Sequence, residues 1–121
     1  MNLKECYEKF GGSFEEVSSR LPRETMIKKF IFKFLNDKSY ENLMDSLDSH
    51  DYSQAFIASH TLKGVCQNLA FTRLHESSHD LTEALRGDGS HDENLISELR
   101  EKVTADYELT TGAIMELQAE E

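Results

Sequence analysis

The sequence predicts an all-α protein, an antiparallel four-helix bundle with a short extra N-terminal helical segment. Three observations predict it. Apolar residues recur at i, i+3, i+4 spacing through most of the 121 residues. Strand-like alternation is absent and β-branched residues are sparse. The single proline, Pro22, falls early and leaves the chain after it free to build helices.

Each element has a local reason. "CYEKFGG" reads as a short helical turn ended by Gly11 and Gly12. Ser13 to Glu16 matches the S-x-x-E capping box, and a short helix should run from it to about Leu21, where Pro22 breaks it. From Arg23, the residues Met26, Ile27, Phe30, Ile31, Phe34 and Leu35 form an apolar stripe. "NDKS" is a joint, and Tyr40, Leu43, Met44 and Leu47 mark the next helix. Asp51 is placed to cap the following one, with Ala55, Ala58, Leu62, Val65, Cys66 and Leu69 on its inner side and an end near Ala70. Thr72 is a candidate cap for a helix carrying Leu74, Ser78, Leu81 and Leu85. "RGDG" ends it, and Ser90 to Glu93 offers another capping box. The last helix carries Leu95, Ile96, Leu99, Val103, Tyr107, Ile114 and Leu117, with Gly112 as a soft spot. Short turns between such helices imply antiparallel neighbours in one domain, residues 1–121.

Composition narrows the function. The net charge of −10 argues against nucleic acid and anionic membranes, which are bound by clustered Lys and Arg. No apolar run approaches the ~18 residues of a membrane span, and the N-terminus lacks a signal-peptide pattern. A cytoplasmic, monomeric protein is the expectation. Cys6 and Cys66 are far apart and read as free thiols, Cys66 as core filler.

The segment "SHTLKGVCQNLAF", Ser59 to Phe71, concentrates the chemistry. At 100° per residue, His60, Lys63, Gly64 and Gln67 fall away from the apolar stripe. Mid-helix glycine costs about 1 kcal/mol relative to alanine. One turn from an exposed imidazole, it leaves room for a group approaching the ring. Imidazole is a competent nucleophile, and the Lys63 ammonium suits a phosphoryl group. Gly64 also admits a plainer reading, a close-packing point between helices. Phe56 reads as an apolar rim or a core edge. His75 and His79, spaced i, i+4, have the spacing of metal ligands but no evident third partner, so no metal site is expected.

This segment resembles the signature of histidine-containing phosphotransfer (HPt) domains, roughly A-H-x-[LI]-K-G-x-x-x-x-[LIF]-G. Its His, Lys and Gly fall on His60, Lys63 and Gly64, and its apolar position on Leu69. Ser59 stands where alanine is usual and Ala70 where glycine is usual. The resemblance covers roughly Met26 to Arg86. It implies a phosphorelay intermediate in a two-component system, in which His60 is phosphorylated, Lys63 positions the phosphate and Gly64 gives steric access. The implied partners are response-regulator receiver domains and hybrid histidine kinases. It implies no ATP site and no cofactor, the Mg²⁺ belonging to the receiver. The family often orients the active ring by a hydrogen bond, and the chemotaxis-kinase relatives carry His and Glu 19 and 22 positions after the active histidine. Here those positions are His79 and Thr82, so His79, Thr82 or Gln67 is the candidate orienting group. The alternative reading is a non-phosphorylated helical adaptor docking on receivers or kinases.

Overall fold

A computed structural model describes all residues, 1–121, as seven helices without strands. They are α1 (Leu3–Phe10), α2 (Phe14–Arg20), α3 (Glu24–Phe34), α4 (Ser39–Asp48), α5 (Tyr52–Asn68), α6 (Thr72–Leu85) and α7 (Glu93–Ala119). The bundle is formed by α4 to α7. Helix α5 packs between α4 and α6, and α6 packs on α7. Helix α4 closes the ring against α7: the Tyr40 and Tyr107 rings stack at 3.8 Å, the Tyr40 hydroxyl hydrogen-bonds Thr104 Oγ1 at 2.9 Å, and Arg100 pairs with Asp48 at 2.8 Å. Pairing of early α4 with the middle of α7, and late α4 with earlier α7, makes the two antiparallel. No helix is long and apolar enough to cross a membrane.

The apolar stripes meet in one core. Ile27, Ile31 and Phe34, Leu43 and Leu47, Leu62 and Cys66, Leu74, Leu81 and Leu85, and Val103, Ile114 and Leu117 are all buried. Each such side chain contributes on the order of 1.5–3 kcal/mol by leaving water. Both cysteines are free and buried. Burial pushes the Cys6 thiol up to about 11 and the Cys66 thiol further, so both stay protonated and serve as packing groups.

The N-terminal segment is a clamp on the α5–α6 turn. Helix α1 lies on α7, and Tyr7, Phe10, Phe34 and Phe71 form an aromatic cluster with centroids 4.9–5.9 Å apart. The buried Tyr7 hydroxyl donates to the Leu69 carbonyl at 2.8 Å. The backbone N–H of Ser13 donates to the Ala70 carbonyl at 2.9 Å, and that of Arg73 to the Gly11 carbonyl at 3.1 Å. Gly11 takes φ +74° as it ends α1. Gly12 passes so close that a Cβ there would lie 2.5 Å from the Phe10 ring and 3.0 Å from the Ala70 carbonyl. The glycine pair therefore terminates the helix and permits the chain crossing.

Several local expectations are corrected. Ser13 Oγ accepts the Glu16 N–H, but the Glu16 carboxylate turns to Arg20 at 2.7 Å, so the box is only half made. The complete capping box is Asn2 with Glu5. Thr72 is the first residue inside α6, not its cap: Phe71 holds that place, its ring buried, and its side chain has no acceptor to make a cap bond. Asp92, not Ser90, caps α7, its carboxylate being already within 3.1 Å of the Leu95 N–H. Asp51 caps α5 as expected, accepting from Gln54 N–H at 3.1 Å. Helix α5 ends at Asn68, two residues early, because Ala70 takes φ +58°. Met26 and Leu95 stand at the outer edges of their stripes and are exposed, while Phe30, Leu35 and Val65 are half-buried.

Candidate functional site

Helix α5 carries the site and is fixed at both ends. Asp51 satisfies its first turn. Arg20 of α2 reaches its last turn, donating from Nη1 to the Gln67 carbonyl at 2.6 Å and the Asn68 carbonyl at 3.1 Å. A cation on these orphan carbonyls is favoured by hydrogen bonding and by the helix dipole.

Between these ends, Ala55, Ala58, Ser59, Leu62 and Cys66 face the core and are buried. His60 and Gln67 are exposed, and Lys63 and Gly64 are half-buried. Lys63 and Gly64 lie three and four residues after His60, one turn along on the same face. A Cβ placed on Gly64 would meet nothing within 4 Å. The glycine is therefore not a packing point between helices; the space over it belongs to solvent.

Helix α6 borders the site on one side. Lys63 and His79 both lie near enough to His75 to help burial hold its imidazole below the usual histidine range, burial being the larger cause. The His75 and His79 rings stack at 6.4 Å. Further along, Arg86 grips Glu83 with 2.7 Å and 3.2 Å hydrogen bonds to one carboxylate oxygen. That hydrogen bond, before the charge of Arg86, holds the Glu83 carboxyl below its ordinary value. His75, His79 and Arg86 thus stand along the flank of the α5 face that carries Lys63, with the Glu76 and Glu83 carboxylates among them. No group of three or more His, Cys, Asp or Glu side chains is gathered in a way that would hold a metal ion.

The other flank of α5 is a groove of about 730 Å³ against α2 and α3, lined by the apolar Leu21, Phe30, Phe34, Val65 and Leu69 and by polar groups that include Arg20, Lys33, Asp37 and Lys38. Ile57, one turn before His60, is 54% exposed.

The candidate orienting residues separate clearly. Thr82 is buried, and its hydroxyl donates to the Ser78 carbonyl at 2.6 Å while pairing with Ser59 Oγ at 2.6 Å. Its hydroxyl is committed to the α5–α6 seam and is not available to His60, whose ring lies on the outer face. His79 and Gln67 are exposed, and the partner of the His79 ring is His75. The ring that accompanies His60 is Phe56, stacked at 6.0 Å between centroids with 15° between planes. Arg86 Cζ stands 5.2 Å from the Phe56 centroid. Sequence reasoning placed Arg86 in a turn and missed it at the site. The signal that would find it is the antiparallel α5–α6 pairing, which brings late α6 beside early α5.

An all-α bundle that presents a histidine, a lysine and a bare glycine on one exposed turn is the architecture of a histidine phosphotransfer module. The family model of the Hpt domain matches residues 31–106, more than half of the chain, and the protein belongs to that family. Hpt domains serve histidine phosphotransfer in two-component phosphorelays, working with receiver domains and kinases. Comparison with curated proteins and with solved structures gives no match.

Proposed function

We propose that His60 is the phosphoryl carrier, accepting from an aspartyl phosphate on one receiver domain and donating to an aspartate on another. The observation that carries this reading is the exposed His60 ring beside the open space over Gly64, with Lys63 one turn away. The unprotonated ring nitrogen attacks phosphorus. An N–P bond forms as the acyl-phosphate P–O bond breaks, and the aspartate carboxylate leaves with the electron pair. The reverse step on a second receiver restores the imidazole. Lys63 offsets the charge of the transferring group, and Gly64 admits the receiver's active-site edge. The chain itself supplies no ATP site and no cofactor; the Mg²⁺ ion is the receiver's. The apolar groove beside Val65 and the exposed Ile57 give the receiver a surface on which to dock. The reading extends to a cytoplasmic monomer.

The test is transfer from receiver domains encoded in the same genome and charged by a small phosphodonor. The expected product is an acid-labile, base-stable phosphoryl group on the wild-type protein and none on His60→Gln. Absence of transfer from any of several receivers, with binding retained, would replace the relay with a docking adaptor.

A further inference from the structure

The active ring of this chain lacks the hydrogen-bonding neighbour that would ordinarily hold it. At the level of His60, α6 contributes Thr82, and Thr82 is buried with its hydroxyl committed to Ser59 and Ser78. An exposed imidazole on a helix otherwise has several staggered χ1 wells and a broad χ2. A nucleophile spread over these conformers meets an incoming phosphorus productively for only part of the time.

His60 and Arg86 both meet the Phe56 ring where the hydrogen bond is missing. Phe56 lies one turn before His60, half-buried and packed against the core, so its own ring has little freedom. The two rings are close to parallel, 15° apart. On Phe56 sits the Arg86 guanidinium, at 5.2 Å. Arg86 is in turn fixed by Glu83 through two of its nitrogens, Nε and Nη2, at 3.2 Å and 2.7 Å. Contacts thus run in series from Glu83 through Arg86 and Phe56 to His60.

We infer that Phe56, clamped by Arg86, is the positioning residue that sets the plane of the His60 imidazole, replacing a hydrogen bond to its ring. A stack and a hydrogen bond differ in consequence. The stack restrains the ring while leaving both nitrogens free, one for the phosphoryl group and one for exchange of its proton with water. The inference rests on His60 being the phosphoryl carrier for its kinetic meaning, but its geometric content stands apart from that.

The experiment uses the full chain with two readouts. The first is the NMR ring-proton shifts and χ1 couplings of His60. The second is phosphorylation by phosphoramidate, a small donor that needs no docking surface. Phe56→Leu keeps apolar bulk and removes the ring face. It is expected to move the His60 ring signals towards those of a free histidine and to slow phosphorylation about three- to tenfold. Phe56→Tyr is expected to restore both readouts, and Arg86→Gln to shift both in the same direction by less, about twofold. Arg86 is exposed, so its variant keeps the test open should Phe56→Leu fail to fold. Unmoved ring signals in both Phe56→Leu and Arg86→Gln would overturn the inference. So would a Phe56→Leu protein slowed with receivers but not with phosphoramidate, which would make Phe56 a docking residue. If wild type takes no phosphoryl group from either donor, the carrier function fails, and the ring signals alone decide the positioning role.

Discussion

Gly64→Ala separates what the free protein needs from what its partner needs. In the free protein, nothing opposes the change. The glycine lies inside the α5 helix without a positive φ, and a Cβ there meets no atom within 4 Å. No clash and no backbone penalty therefore reduce the helix-propensity gain, which is about 1 kcal/mol. For a chain of this size that raises Tm by about 4 °C, readable by thermal or urea unfolding followed by circular dichroism. The same methyl projects into the space one turn from His60. Transfer from a charged receiver should fall by about tenfold, corresponding to ~1.4 kcal/mol on the barrier. Phosphoramidate, being small, should be affected far less. The expected variant is thus more stable, still reactive towards a small donor, and slow with a protein donor. A Gly64→Ala protein that transfers at the wild-type rate would refute the access argument. One that melts lower than wild type would refute the reading of open space.

Three further sets of substitutions probe the framework. In a Ser59→Ala, Thr82→Val cycle each single change should cost about 1 kcal/mol, with a favourable coupling of similar size between them; strict additivity in urea unfolding would mean that the 2.6 Å pair contributes nothing. Phosphotransfer by Thr82→Val should stay near wild type, since its hydroxyl faces the seam. Ala70 adopts φ +58° with its methyl buried, so Ala70→Gly exchanges a strain of about 1–2 kcal/mol for a lost methyl of ~0.8 kcal/mol and a freer unfolded chain. It should be neutral within about 0.5 kcal/mol, whereas Ala70→Val should lose 2 kcal/mol or more, because a β-branched residue tolerates that φ poorly; equal stability of the two would show that the backbone does not hold this conformation. Asp106 is buried with one carboxylate oxygen lacking a partner, and Asp106→Ala should stabilise by about 1 kcal/mol through removal of that oxygen and a better helix residue; a loss of stability in chemical unfolding would show that the carboxylate is paired through water.

What could be read from the sequence follows the range of the interaction. The face carrying His60, Lys63 and Gly64 was legible because it is set by 100° steps along one helix, independent of any neighbour. The cap at Asp51 was legible for the same reason: the bond to Gln54 N–H spans three residues. Where two local signals competed, the outcome was not legible. Glu16 had a backbone partner within its own turn and an arginine four residues on, and the charged partner won. Ser90 and Asp92 were both able to cap α7, and only the path of the preceding loop decides between them.

The departures from the family pattern look unrelated in one dimension and separate into two kinds in three. Ser59 in place of alanine, and Thr82 where the chemotaxis-kinase relatives carry Glu, lie 23 positions apart, yet their hydroxyls form a buried pair at 2.6 Å. A serine alone at position 59 would leave a buried hydroxyl relying on the longer 3.2 Å contact with the Ser78 carbonyl. With Thr82 opposite, both hydroxyls have partners. Thr82 offers the His60 ring no long acidic side chain, and Phe56 is the residue we infer to position that ring. Ala70 is the other kind. No contact compensates its positive φ; the conformation persists because the chain on both sides is over-determined. Leu69 and Ala70 accept hydrogen bonds from Tyr7 and Ser13, and Phe71 is locked in the aromatic cluster. The turn therefore keeps the shape a glycine would give it and carries the strain. The N-terminal helices are thus more than an appendage to the bundle: they hold the turn that ends the helix bearing His60.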